Sequence, residues 1–345
     1  MQSHDLTLAP QTDPTFIYRP RDGLYAVDML IVAVCCLDFF TWLEANPSDA
    51  AAVRRQFETT PRPTDVMLTL FTAMGLVAQQ DGVFHNTPAA REHLVKSSPW
   101  FLGPYYASLK DRPVVVDLLK VLRTGKPANW GSQKNEKDWH QAMETEEFAK
   151  SFTAAMDCRG VFLAQAAAKM VDLKKHRHLL DIAGGSGIYA CSFVAHHPHL
   201  RATVLEKPPV DKIAAGAIAR RGCTEKVSVV AGDMLAAPLP AESDVHLISN
   251  VLHDWDEPVV KQILAKSFQA LPPGGLLVLH DAHLNADKTG PLHVAEYSVL
   301  LMHSTEGRCY STAEMEEYLR EAGFVEFHFT PTAAARSILT ARKPG

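Results

Sequence analysis

The hydrophobic rhythm of the chain changes once, near His178. Before that point apolar residues recur at helical spacing. After it, short apolar runs rich in β-branched residues alternate with stretches of helix length. Residues 1–20 are Pro-rich and polar and are expected to form an extended arm, and residues 24–43 are apolar on more than one side and predict a long buried helix. Thr64-Asp65 offers an N-cap ahead of Val66, Met67, Leu68, Leu70, Phe71 and Met74, with Gly75 as the stop. Two short runs, 76–78 and 83–85, then flank Asp81-Gly82, which reads as a hairpin. Helix, helix, hairpin is a winged-helix order. Residues 105–175 read as mostly helical, broken by a loop over 125–138, and the Ala-rich run 161–170 gives way to the basic turn KKHRH.

The second half supplies seven candidate strands: 179–183, 202–206, 227–233, 245–252, 276–282, 325–329 and 337–342. The first five alternate with helices and predict a parallel sheet covered on both faces. The last two lie close together and suit a terminal antiparallel hairpin. Such sheets bind ligands at the carboxyl ends of their strands, so those ends are where chemistry is sought.

Composition narrows the class. A net charge of -5 leaves no overall basic footprint for nucleic acid, and the second winged-helix helix, DVMLTLFTAMGLV, has no Arg or Lys to face phosphates. No nucleic-acid partner is expected. The most apolar stretch, 29–40, is too short to span a bilayer and contains Asp38, and the polar start lacks a signal-peptide pattern, so no membrane partner is expected. The six cysteines form no CxxC pair and no zinc spacing. This suits a reducing cytoplasm and implies no metal.

The strand 179–183 runs into LLDIAGGSGIYA, a turn holding Ala183, Gly184, Gly185 and Gly187 before a helix expected near Ile188. Glycines permit a tight turn and close ligand approach, but a dinucleotide would suit this feature alone equally well. Asp181, Glu206 and Asp233 sharpen it, because each is read as ending one of three successive strands. Glu206 is placed to accept from ribose hydroxyls, and Asp233 from an adenine amino group, with Met234 packed on the ring. The acid precedes the glycines and no cation is evident for a pyrophosphate. The set therefore suits S-adenosylmethionine, which carries an ammonium and a sulfonium and no phosphate, better than NAD.

The fourth strand leads into NVLHDWDE, which places His253 at its carboxyl end. An imidazole there can take the proton of a hydroxyl during methyl transfer. A histidine at a strand end is most often structural, and the chain has sixteen. The flanking HDWDE and the nearby turn favour catalysis. Asp281, ending the fifth strand, is the first candidate to hold the imidazole, and Glu306 the second. Trp255 could stack on adenine or simply pack in the core.

These segments resemble the small-molecule O-methyltransferases of plants and bacteria, a family that includes acetylserotonin and caffeic acid O-methyltransferases. The resemblance lies in DIAGGSG, GDM, NVLHDWDE, PPGGLLVLHDA, GPLHVAEYSVLLMHSTEG and EAGF, in family order, and covers nearly the whole chain. It implies a Rossmann-like class I methyltransferase sheet with a terminal hairpin over 109–345, whose helical segment 109–175 binds substrate. It implies a winged-helix-like dimerisation domain over 1–108 and a homodimer. It further implies His253 as general base supported by Asp281, and Phe152, Met156, Leu300, Met302 and Ser304 lining a pocket for a small aromatic acceptor. S-adenosylhomocysteine would be the product. Three positions depart from the pattern. Ala183 replaces a glycine, Ser249 stands at a cofactor-contacting position that is often basic, and Cys309 stands where relatives carry a second acid. Methylation of nitrogen, carbon or sulfur, and a ligand sensor that binds the cofactor without catalysis, are the alternative readings.

Overall fold

The computed structural model describes residues 5–128 and 142–345. Most of the loop expected over 125–138 lies outside them. The described residues form two compact units, one of 5–16, 142–283 and 312–345, the other of 17–128 and 284–311. This division differs from the expected boundary at 108/109. The Pro113–Thr124 helix and the segment 284–311 group with the N-terminal helices.

In the helical unit, β1 (Val77–Gln80) and β2 (Val83–Asn86) pair antiparallel around Asp81 and Gly82. Both turn residues have positive φ, 49° and 80°, as a two-residue turn matched to strand twist requires. The helices before this wing are Ala50–Phe57 and Pro61–Ala73. The second starts at Pro61, not at Val66, because Pro at the first helical position needs no hydrogen-bond acceptor for its nitrogen. Thr64 instead bonds its hydroxyl back to the Thr60 carbonyl (2.8 Å).

Two other expectations are corrected. The segment 24–43 is not one helix. It runs as Ala26–Ile31, a wide turn over Val32–Cys36, and a new helix Phe39–Ala45 after Asp38, whose φ is 54°. The break aims Phe39 and Phe40 at Phe71, with ring centroids 5.7 and 5.2 Å apart. The arm over 1–20 is also not extended throughout. Thr15–Asp22 is helical, and the Asp13 carboxylate accepts from the Thr15 N–H at its start (2.9 Å). No single helix among the described residues is long and apolar enough to cross a membrane.

The other unit carries a seven-stranded sheet. Its strands are β3 (His178–Ile182), β4 (Arg201–Glu206), β5 (Val227–Ala231), β6 (Val245–Ser249), β7 (Leu276–Asp281), β8 (Val325–Pro331) and β9 (Ser337–Arg342). The order is β5-β4-β3-β6-β7-β9-β8, parallel from β5 to β7, with β9 antiparallel to both β7 and β8. The central strands read as near-continuous apolar runs because both faces are covered, and β7 is buried at every position. The exposed edge strand β8 carries Glu326 and His328, charges and imidazoles that discourage edge pairing. The order reverses direction at β3, so the ends of β3, β4 and β6 flank the switch point where such sheets bind ligands.

The Glu146–Met170 helix packs along the Ile188–His196 helix that follows the glycine turn. Gly160 makes that approach possible, since a Cβ there would lie 2.5 Å from Ile188 Cγ2. Gly160→Ala should therefore cost about 1–3 kcal/mol through overpacking. Gly216→Ala, within the Val210–Arg220 helix where only the flexible Arg220 comes within 3.4 Å, should gain roughly 0.5–1 kcal/mol. Urea unfolding of the two variants checks the contrast. Equal shifts in both would refute the packing argument.

Candidate functional site

The first part of the site forms where β3 ends. Asp181 is 1% exposed and accepts the Ala190 N–H from the following helix (3.1 Å). A Cβ on residue 184 would meet the Asp181 carboxylate at 2.5 Å, so only glycine fits over it. Burial pushes this carboxyl up to about 7, against the pull of the Ala190 amide. The expectation was a strand-end acid facing a ligand. The structure places Asp181 one residue inside β3, beneath the turn, where it braces the backbone.

The turn itself is wound through the left-handed region, with φ of 54° at Ala183, 60° at Gly185 and 75° at Gly187. At Ala183 the side chain makes this conformation costly. The Ile188–His196 helix begins at the expected residue. Glu206, ending β4, is half-buried and gathers two backbone donors, Gly185 N–H to Oε1 (2.8 Å) and Lys207 N–H to Oε2 (2.9 Å). Burial raises its pKa to about 7, although both amides pull it down. Asp233 lies two residues beyond β5, not at its end. It accepts from Leu235 N–H (2.8 Å) and pairs with Lys207 Nζ (3.4 Å). These contacts outweigh the effect of its burial and hold its carboxyl below the usual range. Met234 beside it is buried. Lys207 was missed, because a lysine following a strand-end glutamate reads as solvated charge.

These donors and acceptors fit an adenosyl ligand better than a dinucleotide. The Gly185 amide, which a pyrophosphate would need, is already committed to Glu206, and Lys207 is committed to Asp233. Each carboxylate keeps lone pairs for hydroxyl and amino donors.

The second part lies at the ends of β6 and β7. His253 sits in a tight turn, Leu252–Asp254, and is 4% exposed. Its Nδ1 meets Asp281 Oδ1 at 2.5 Å, and the same oxygen accepts the Ala282 N–H at 2.7 Å. Asp254 Oδ1 stands 3.7 Å from Nε2, so a carboxylate lies near each ring nitrogen. Burial pushes the imidazole down, but Asp281 and Asp254 outweigh it and its pKa is raised. Asp281 is held below the usual range, since the imidazole outweighs its own burial. Burial pushes Asp254 up to about 6. Asp254 had been given no role, although it stands inside the HDW motif. Arg159, another residue the sequence did not single out, places positive charge within electrostatic reach of His253 and Asp254.

Ser249 ends β6 within a polar network. Its hydroxyl meets His280 Nδ1 and Asn250 Nδ2, each at 3.0 Å. Asn250 Nδ2 also donates to the Tyr189 hydroxyl (3.0 Å), and Arg336 Nε donates to Asn250 Oδ1 (3.2 Å). Trp255 follows the histidine turn and is half-buried.

Phe152 and Met156 lie one turn apart on the Glu146–Met170 helix, half-buried, with Phe152 stacked on Phe148 at 6.1 Å. Leu300, Met302 and Ser304 are buried on the Leu292–Ser304 helix of the other unit. Arg62 fixes the end of that helix, donating to the carbonyls of Met302, Thr305 and Gly307 at 3.2, 3.2 and 2.8 Å. Glu306 lies in this segment and is exposed. Cys309 is fully buried, and its N–H donates to Ser298 Oγ (3.1 Å).

Comparison with known proteins places this geometry in context. The family model described as "O-methyltransferase domain" matches residues 117–325. The chain is 32% identical over 315 residues to a 3-hydroxy-5-methyl-1-naphthoate 3-O-methyltransferase of Streptomyces sahachiroi, covering 91% of this chain and 90% of the relative. It is 28% identical to the N,N-dimethyltransferase OxyT of Streptomyces rimosus, covering 84% of each. Among solved structures, an O-methyltransferase family 2 protein from Planctomyces limnophilus in complex with apigenin superposes with a TM-score of 0.88 at 32% identity, covering 99% of this chain and all of that one.

Two outcomes follow from the turn. Ala183→Gly should stabilise the fold by about 1 kcal/mol by relieving the left-handed strain, read by denaturant midpoint. Binding of S-adenosylhomocysteine should weaken roughly tenfold as pH falls from about 8 to 6, because the raised Glu206 gains a proton and loses acceptor capacity. Calorimetry across that range checks this, and Glu206→Gln should flatten the profile. An equally steep profile in Glu206→Gln would assign the titration elsewhere.

Proposed function

We propose, for a chain that belongs to the O-methyltransferase domain family, that it methylates a hydroxyl of a small aromatic metabolite with His253 as general base. Bound S-adenosylmethionine supplies the electrophilic methyl group. The residues that would hold it are Glu206 and Asp233 as acceptors for its hydroxyl and amino groups, the turn at 183–187 with Asp181 beneath, and Met234, Ser249 and Trp255 around them. The observation that carries the reading is the buried His253–Asp281 pair at the same carboxyl-terminal end of the parallel strands as the glycine turn.

Asp281 holds Nδ1 protonated, which directs the Nε2 lone pair outward to accept the acceptor's hydroxyl proton. The resulting imidazolium is stabilised by the same carboxylate, with Asp254 near the other nitrogen. Arg159 adds positive charge that opposes imidazolium formation and favours the neutral, proton-accepting form. Phe152 and Met156 are proposed to contact a flat apolar ring, and Leu300, Met302 and Ser304 are kept as proposed substrate residues. Glu306 is kept as a proposed auxiliary acid. The naphthoate acceptor named for the Streptomyces sahachiroi enzyme supports an aromatic hydroxyl as the target.

A second copy of the chain is the proposed partner, paired through the helical unit. Its exposed Ile17, Leu24, Val27, Trp100, Tyr105 and Val116 support that pairing. The six free cysteines support a reducing, cytoplasmic setting.

His253→Ala should lower methyl transfer from labelled cofactor to a panel of phenols by roughly 10²–10⁴-fold, while S-adenosylhomocysteine still binds. In the unaltered chain, kcat/KM should climb with pH and level off only above the ordinary histidine value of about 6.5, because Asp281 and Asp254 raise the pKa and the base must first lose its proton. Asp281→Asn removes one of those carboxylates, so the acidic limb should move to lower pH while the plateau rate falls. Unchanged turnover in His253→Ala would eliminate it as the base. Labelled product from amines and none from phenols would reassign the acceptor atom.

A further inference from the structure

One cluster lies outside the dyad and the carboxylate cradle. Ser186 is the one residue of the glycine turn whose side chain carries a polar group, and it is 4% exposed. Its hydroxyl donates to Asp157 Oδ1 in a short hydrogen bond. Asp157 is held in turn by Arg221, whose Nη2 reaches Oδ1 at 2.7 Å and Oδ2 at 2.6 Å. Both partners of the ion pair are largely covered, with side chains 16% and 26% exposed.

The three residues come from three different pieces of the unit. Asp157 follows Met156 on the Glu146–Met170 helix, Ser186 belongs to the turn, and Arg221 caps the Val210–Arg220 helix that leads away from Glu206 and Lys207. The neighbouring turn residues Ala183, Gly185 and Gly187 all occupy the left-handed region, a backbone with little conformational preference of its own at the glycines. A hydroxyl donating to a charged, half-buried acceptor is among the stronger side-chain restraints available to such a turn. Asp157 also faces an open groove of about 650 Å³ lined by Lys150, Lys212 and Arg220. Ser186 lines the same groove, so the hydroxyl bond and the ion pair share one partly solvated acceptor and share the restraint.

We propose that Asp157 is a positioning residue that fixes the cofactor turn through Ser186, braced by Arg221, and so couples the helix bearing Phe152 and Met156 to cofactor binding. It touches no reacting atom. Its effect is to pre-organise the turn, which otherwise must be ordered at the expense of affinity. The proposal rests on the turn being the cofactor cradle.

Calorimetry with S-adenosylhomocysteine on the full chain tests it. Ser186→Ala removes only the hydroxyl and should weaken binding about fivefold, and Asp157→Ala about tenfold, the range expected for a hydrogen bond to a charged group. The double variant should bind no more weakly than Asp157→Ala, because both changes remove one interaction. Asp157→Asn, which keeps an acceptor oxygen for Ser186, should fall between Asp157→Ala and the unaltered chain. In steady state, KM for the cofactor should rise more than kcat falls. A merely structural role would lower the melting temperature without that split. Affinities within twofold of the unaltered chain for both single variants, or additive losses in the double variant, overturn the proposal. Absence of binding by the unaltered chain would instead overturn the cofactor reading itself.

Discussion

A buried imidazole loses its proton unless a charge of opposite sign stands beside it, and the chemistry proposed for this protein depends on that constraint. The sheet provides its own controls. His246 and His280 are as deeply buried as His253, yet each meets a serine hydroxyl, and both are pushed down to about 3 and stay neutral. His253 meets Asp281, and its pKa moves the other way. The carboxylates of Asp281 and Asp254 distinguish the histidine proposed as the base from two that bond to serine hydroxyls. Asp281 is placed by the parallel pairing of β6 and β7, which aligns Ser249 with His280 and so brings it beside the turn that follows β6.

The same logic of stacked layers governs the glycine turn. Asp181 can lie beneath residue 184 only because no Cβ is present there, and Glu206 can receive the Gly185 amide only because β4 runs beside β3 in register. Around the glycine turn, burial raises Asp181 and Glu206 toward neutrality, while Asp233, with Lys207 at hand, is held below the usual carboxylate range. The cradle therefore holds groups of graded charge, suited to a ligand that brings its own cations and hydroxyls.

Ser249 shows how a departure from the family pattern is absorbed. The family resemblance led to the expectation of a basic residue there. Here the hydroxyl joins Asn250, Tyr189 and His280, and a buried cation, Arg336, arrives from the loop before β9 to donate to Asn250. Positive charge is thus delivered to the network from the antiparallel hairpin.

The pattern of residues by itself determined the presence and order of the strands, the hairpin at Asp81-Gly82 and the glycine turn, and it singled out His253 and Asp281, which the fold pairs, while several strand ends shifted by one to three residues. Each is written in a short window: a run of β-branched residues, a pair of turn formers, a motif at a strand terminus. The break at Asp38, the start of a helix at Pro61 and the helical turn over 15–22 were settled by packing and capping partners outside such windows. Lys207, Arg159, Asp157 and Arg221 were invisible as site residues for the same reason. A charged side chain on a helix or after a strand looks solvated in sequence, and only the fold decides which carboxylate or hydroxyl it meets. The grouping of 284–311 with the N-terminal helices is likewise a product of tertiary contacts, since nothing in its local composition distinguishes it from the helices that cover the sheet.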